Sequence, residues 1–242
     1  MAFKEIMEDR NIQYDLADTI IERPNAFEVS GRPFYLYPVT LGKSYLLSRV
    51  MDSLELNEDN IRVNPYMEAM RVCKNHREEV LRLIVYHSFR RKKDLFDYKL
   101  IEARCRFFDN NISWEELTQL FLIVLSHDKS DKFIKHLGID KELDLKHKVT
   151  SSKKEQGGSI SFGGKSIYGT LIDFACERYG WSYEYVLWGI SLVNLKMLMN
   201  DSVSTIYLTK DEQKKLRIPT DRTVVSGDSK ENIAKMKKFF KD

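Results

Sequence analysis

The segment Gly158-Ser159-Ile160-Ser161-Phe162-Gly163-Gly164-Lys165-Ser166 comes nearest to a known chemistry. A loop that cradles phosphates reads G-x-x-x-x-G-K-[ST] and runs from a buried strand into a helix. Gly164-Lys165-Ser166 supplies the end of that pattern, ahead of an apolar helical segment. The start fails: Ser159 stands where the first glycine belongs, and Gly158 is one residue too far away. The stretch before it is charged, and no apolar strand ending in Asp follows to hold magnesium. The segment therefore reads as a Gly-rich tether. Of the five histidines, His76, His87, His127, His136 and His147, only His76 stands near a second ligand type, in Cys73-x-x-His76. Zinc needs another pair, and no second half appears. No serine sits in a G-x-S-x-G elbow. Glu115, Glu116, Asp140 and Asp144 read as helix-start or solvent-facing charge. These residues predict no metal, no cofactor and no enzyme activity.

Two basic clusters and one aromatic cluster remain. Arg90-Arg91-Lys92-Lys93 follows an apolar helix, where cations complement the helix dipole. Lys235, Lys237, Lys238 and Lys241 surround a terminal Phe239-Phe240. Either basic cluster has the charge to touch phosphates, as a nucleic-acid adaptor would. Tyr179, Trp181, Tyr183, Tyr185 and Trp188 fall within ten positions. Tyr and Trp combine a large apolar body with a polar handle, which suits a protein interface. The aromatic run and Phe239-Phe240 are the candidate protein-binding residues.

Composition weighs between the two. The chain has 242 residues, with 39 Lys+Arg against 36 Asp+Glu, so its net charge is only +3. A dedicated polyanion binder carries a larger excess, so nucleic acid is disfavoured as the main partner. Hydrophobic residues make up 43%, enough for a core. With 5 prolines and 11 glycines, an all-β sandwich rich in turns is disfavoured and helices are favoured. Cys73, Cys105 and Cys176 make no disulfide framework and suit a reducing compartment. Residues 1–5 lack a signal-peptide core, and the longest apolar run, 120–125, is far too short to span a bilayer. A cytoplasmic protein without a membrane partner is expected.

The elements that would position these residues are mostly helices. Residues 1–25 predict one short charged helix. Ala26–Val29 and Phe34–Val39 flank the turn Ser30-Gly31-Arg32-Pro33 and predict a hairpin that must pack on helices or another chain. Pro38 marks its edge or end. Thr40 and Asn64, the latter before Pro65, are N-caps. Helices are expected over 78–89, 95–108 and 114–127, the last opened by the capping box Ser113-x-x-Glu116. Ser130 is expected to cap a short helix ending at Gly138. Residues 149–165 read as a linker between a domain at 1–148 and a C-terminal region at 166–242. There Ser166 caps 167–179, Gly180 ends it, and 183–199 completes a helical hairpin. Thr209-x-x-Glu212 is another capping box, residues 218–228 read as loop, and a basic helix closes the chain.

Four segments in this order resemble a known family. They are Phe27-Glu28-Val29-Ser30-Gly31-Arg32-Pro33-Phe34-Tyr35-Leu36, then Thr40-Leu41-Gly42, then Ser113-Trp114-Glu115-Glu116-Leu117, and finally Tyr179-Gly180-Trp181-Ser182-Tyr183-Glu184-Tyr185-Val186-Leu187-Trp188. Over residues 26–200 the chain resembles the tail assembly chaperones of long-tailed bacteriophages. The resemblance implies a small, mostly helical, non-enzymatic protein. Such a protein binds the tape-measure protein, helps recruit tail-tube subunits and leaves the finished particle. It also implies a host-cytoplasm location and, at 150–166, the place where a short and a frameshifted long form would join. The fold expected is mainly α: a helical domain with a small N-terminal β-hairpin, plus a tethered C-terminal helical hairpin.

Overall fold

The computed structural model describes residues 2–154 and 163–217. The centre of the expected linker, the loop at 218–228 and the closing basic helix, with Phe239, Phe240 and its lysines, lie outside the described residues. The protein is mainly α, with one two-stranded antiparallel hairpin near its N-terminus. The chain divides into two compact units: Met1–Leu137 with Gly163–Asn200, and Gly138–Phe162 with Asp201–Asp242. That division cuts across the expected one, because 163–200 belongs with the N-terminal residues.

In the first unit, α1 (Ala2–Ile20) is longer than the short helix expected, since no Gly or Pro interrupts it before Pro24. Strands β1 (Asn25–Val29) and β2 (Arg32–Leu36) pair through Val29↔Arg32 and Phe27↔Phe34. Ser30 and Gly31 both take positive φ, +49° and +74°, as a two-residue hairpin turn requires. Pro33 thus sits in β2 opposite Glu28, not in the turn. Phe34 stacks edge-on to Phe108 at 4.9 Å, and Phe27 meets the same ring at 5.8 Å. The hairpin therefore packs on helices. Beyond β2, the Tyr37 N–H donates to the His87 carbonyl at 2.9 Å.

Helices α2 (Leu41–Met51), α3 (Glu58–Val63), α4 (Pro65–Asn75), α5 (Arg77–His87), α6 (Lys92–Leu95), α7 (Tyr98–Asn111), α8 (Trp114–Leu125) and α9 (Ser130–His136) follow. Thr40, Asn57, Asn64, Asp97 and Ser113 each accept an N-terminal backbone N–H with their side chains. The Ser113–Glu116 capping box is complete. Two expectations change here. The helix expected over 95–108 is two, because Asp97 caps Leu100 and breaks the chain at Phe96. Ser130 is not the cap of α9; the Asp128 carboxylate accepts its N–H at 3.0 Å. Gly138, at φ +70°, follows α9 as expected.

After Gly163 come a π-helical turn (Tyr168–Ile172), α11 (Asp173–Tyr179), α12 (Tyr183–Trp188) and α13 (Leu192–Asn200). Gly180 ends α11 at φ +65°. The single helix expected over 183–199 is broken at residues 189–191. The Leu192 N–H donates to the Val39 carbonyl at 2.7 Å, and the Ser191 N–H to Glu22 Oε1 at 2.6 Å. These partners, far away in sequence, replace the missing helical ones.

Two apolar clusters form the core of this unit. The larger gathers Val72, Leu83, Ile84, Phe108, Leu117 and Phe121 from α4, α5, α7 and α8. The smaller joins Leu41 of α2 to Leu171, Ala175, Val186 and Leu195. In the second unit, α10 (Ile139–Lys154) runs well into the stretch expected to be linker. Its Lys, Glu and Leu are good helix formers, and no glycine follows until Gly157. The Thr209–Glu212 capping box opens α14 (Lys210–Leu216). Among the described residues, no helix is long and apolar enough to cross a membrane.

Candidate functional site

The aromatic run is built around α12. Gly180 turns the chain, and the Ser182 hydroxyl accepts the Tyr185 N–H at 3.2 Å to start the helix. Tyr185 and Trp188 are three residues apart on α12, and Trp181 stands just before its cap Ser182. Tyr179 stacks on Trp181 with centroids 4.7 Å apart, and Trp181 meets Tyr185 edge-on at 5.1 Å. Phe174 of α11 adds an edge contact to Tyr179 at 6.1 Å. The Tyr179 hydroxyl donates to the Leu198 carbonyl at 3.3 Å, which fixes the stack against α13. Tyr185 is exposed, while Tyr179 and Trp181 are half-buried. Val186, next to Tyr185, is buried and anchors the helix in the smaller cluster.

Trp188 has a different role. It is half-buried and lies on Gly42 of α2, where an added Cβ would sit 2.7 Å from the indole. Gly42 is thus required for α2 and α12 to approach. Phe96 meets Trp188 edge-on at 6.0 Å and is 55% exposed. Tyr183, 50% exposed, lies on another side of α12. Partial burial and the neighbouring Tyr168 hydroxyl push the Tyr183 phenol up. Tyr168 is itself 62% exposed. Of the five aromatic candidates, Tyr183 and Tyr185 are exposed, and Tyr179, Trp181 and Trp188 are half-buried, Trp188 against Gly42.

Of the four basic candidates, Lys92 reaches α12. The Lys92 ammonium donates to both Glu184 carboxylate oxygens, at 2.9 and 3.0 Å, and lies 5.4 Å over the Trp188 ring. Arg91 pairs with Asp94 at 3.0 Å. Arg90 and Lys93 are exposed. Half of this cluster is engaged with acids of the same chain, which leaves less charge for a phosphate backbone. Sequence reasoning missed Phe96 and Tyr168 as parts of the ridge. A lone Phe between two charged runs carries no periodic signal.

The nucleotide-like segment has no strand ahead of it among the described residues; α10 precedes it in the chain. Gly163 and Gly164 take positive φ, +91° and +68°, and Lys165 is exposed. Cys73 is buried in the larger cluster, and burial pushes its thiol up, so it is no ready ligand or nucleophile. Among the described residues, no three His, Cys, Asp or Glu side chains converge to hold a metal.

A second arrangement went unseen in the sequence. Lys43 of α2 is 2% exposed, and its ammonium donates to the Phe89 carbonyl at 2.8 Å. Burial pushes its amine down to about 7. His87, also buried, has an Nδ1 without a hydrogen-bond partner and lies 5.8 Å from the His127 ring. Burial first, then the Lys43 charge, hold both imidazoles below their ordinary range. A lysine at this pKa has the basicity of a nucleophile, but its amine is enclosed and bonded to backbone. The cluster is a site of stored electrostatic cost.

The chain matches no family model, no curated protein and no solved structure. The residues themselves carry the functional argument. An exposed and half-exposed aromatic ridge, held rigid by ring stacking and by Gly42, suits contact with another polypeptide.

Proposed function

We propose that this chain is a non-enzymatic binding protein of the assembly-chaperone kind. It shields a long amphipathic helical client through the aromatic ridge around α12. The resemblance to tail assembly chaperones of long-tailed bacteriophages makes that client a tape-measure protein. Tail-tube subunits would join later, and the work would be done in the host cytoplasm. One observation carries the reading: the stacked rings Tyr179, Trp181 and Tyr185 are left partly open although each is large enough to bury. Partly exposed aromatics on a rigid support bind apolar stripes with little loss of side-chain entropy. A charged-residue content of 31% helps to keep such a complex soluble, and the small net charge of +3 gives little pull onto nucleic acid.

The test is co-expression with a tape-measure-like helical client that precipitates alone. The wild-type chain is expected to bring the client into the soluble fraction. The combined substitution Trp181→Ala, Tyr183→Ala and Tyr185→Ala is expected to lower the soluble client at least about fivefold, equivalent to losing roughly 1 kcal/mol or more of contact. Trp181 packs on the smaller apolar cluster, so the variant is expected to melt lower, and circular dichroism at the co-expression temperature checks that it is still folded. Trp188 is left intact because it packs on Gly42. Equal rescue by the triple variant would remove the ridge from the account.

A further inference from the structure

Lys43, His87 and His127 meet where one helix begins and two end: the first turn of α2, the last residue of α5 and the chain just after α8. Lys43 and His87 are each 2% exposed, and the two imidazoles lie 5.8 Å apart. His87 Nδ1 is buried without a hydrogen-bond partner, so a proton added there meets no acceptor. His127 reaches a cavity of about 530 Å³ between α1, the hairpin and the start of α13, which gives water a way to the cluster.

The charges around these rings oppose an imidazolium. From α2, Lys43 acts against it at both rings. From α7, Arg104 donates to the Ser88 carbonyl at 3.1 Å and stacks on Phe89 at 3.9 Å. Around the cavity, Lys129 pairs with Asp15, and Arg23 with Asp18. Asp128 favours a charged His127, but its carboxylate already accepts from Lys196 at 2.6 Å and from Ser130. At His87 the Tyr37 backbone favours the charge.

The same start of α2 holds residues 188–192. The Tyr37 N–H is tied to the His87 carbonyl. The Val39 carbonyl accepts the Leu192 N–H at 2.7 Å, Thr40 forms a β-bridge with Ser191, and Gly42 receives Trp188. Residues 37–43 thus meet the cationic cluster on one side and residues 188–192 on the other. Further positive charge beside Lys43 pushes on the segment that carries these ties.

We propose that residues 37–43 are an acid-opened latch: proton uptake by His87 and His127 beside Lys43 releases residues 188–192 from α2 while the larger apolar cluster stays packed. The opened chain holds its imidazoles at their ordinary 6.5, and the closed one holds them lower. Opening therefore takes up protons as the pH falls under 6.5. Between pH 7.5 and 5.5 each histidine multiplies the opening constant by up to about ten, and both together by up to about a hundred. The latch holds the ridge helix, but the proposal does not depend on what the ridge binds.

Hydrogen exchange of the full chain at pH 7.5 and 5.5, corrected for intrinsic rates, reads this opening at the Ser191 and Leu192 amides. Their protection is expected to fall at least about tenfold, while the Phe121 amide of α8 stays at least about tenfold better protected at pH 5.5. Glu22→Gln keeps an acceptor for the Ser191 N–H and should leave the fall intact. Lys43→Met should shrink it, because the closed form then accepts an imidazolium more readily. His87→Gln with His127→Gln should reduce it to under about threefold. Magnetic resonance of the imidazole protons in the wild-type chain is a second measurement that needs no variant, and both rings should stay uncharged at pH 6. Unchanged protection, or exchange of Ser191 and Leu192 only together with Phe121, overturns the proposal. So does a fall that survives in the double histidine variant or vanishes in Glu22→Gln, and so does an imidazole that titrates at its ordinary 6.5 in the closed chain.

Discussion

Lys43 shows how much a single buried group shapes this protein. Its amine, pushed down to about 7, lacks the proton that the unfolded chain still carries up to its ordinary 10.5. Between those two values the unfolded state binds more protons, so stability rises with pH across that window. The slope reaches about 1.4 kcal/mol per pH unit at its steepest. Lys43→Met should flatten the rise, which urea unfolding at pH 7, 8 and 9 would reveal as the wild type gaining stability relative to the variant at each step. An unchanged slope would show that the amine is hydrated and not buried. His87 works on the acid side. Its imidazole is held well below 6.5, so stability falls as the pH drops under that value and the unfolded chain gains the proton. At the ridge, the same scale assigns different duties to neighbours: Tyr185 offers surface, whereas Trp188 joins two helices.

Among the elements, the α3–α4 corner depends on one buried carboxylate. Glu68 accepts from Arg71 at 2.7 and 2.9 Å, from the Asn57 N–H at 2.9 Å and from the Asn60 amide at 3.2 Å. The Arg71 bonds, foremost, hold its pKa down to about 2, against an ordinary 4.5. Its stabilisation is present above 4.5 and is lost as the pH falls from there toward 2. Glu68→Gln keeps the shape but leaves the Arg71 guanidinium without its anionic partner. It is expected to cost about 1–3 kcal/mol at neutral pH and to remove part of the acid-side loss, checked by chemical denaturation at pH 7 and pH 3. The helix starts behave alike at Thr40, Asn64, Asp97 and Ser113, where a short polar side chain satisfies an otherwise unpaired N–H.

At the scale of the molecule, residues 163–200 complete the first unit. Leu41 belongs to the smaller cluster with Leu171, Val186 and Leu195, and Trp188 packs against the larger one. A chain ended at residue 148 would strip Leu41 and Gly42 of this cover. It is expected to melt at least about 10 °C below the full chain and to bind a hydrophobic dye, because several buried apolar side chains lose their partners. Melting at the same temperature would mean that residues 1–137 are self-sufficient and that the two clusters are not coupled.

The amino-acid order by itself determined the local grammar of this protein. Helix starts at Thr40, Asn64, Ser113 and Thr209 and the stop at Gly180 were legible, because each depends on a side chain and backbone within a few residues; the hairpin was too, although its turn is Ser30-Gly31 and not the four residues 30–33. It also marked the aromatic run. Only the tertiary structure decided what distant residues do to one another. The break at residues 189–191 exists because Val39 and Glu22 supply partners that a continuous helix would not need. Phe96 joins the ridge because Gly42 lets Trp188 come close. Lys43 is set apart from the chain's other lysines because Phe89, His87 and His127 enclose it. Hydrogen bonds and capping act within a turn, and sequence records them. Burial and charge act through space, and the sequence shows them only once the chain has folded.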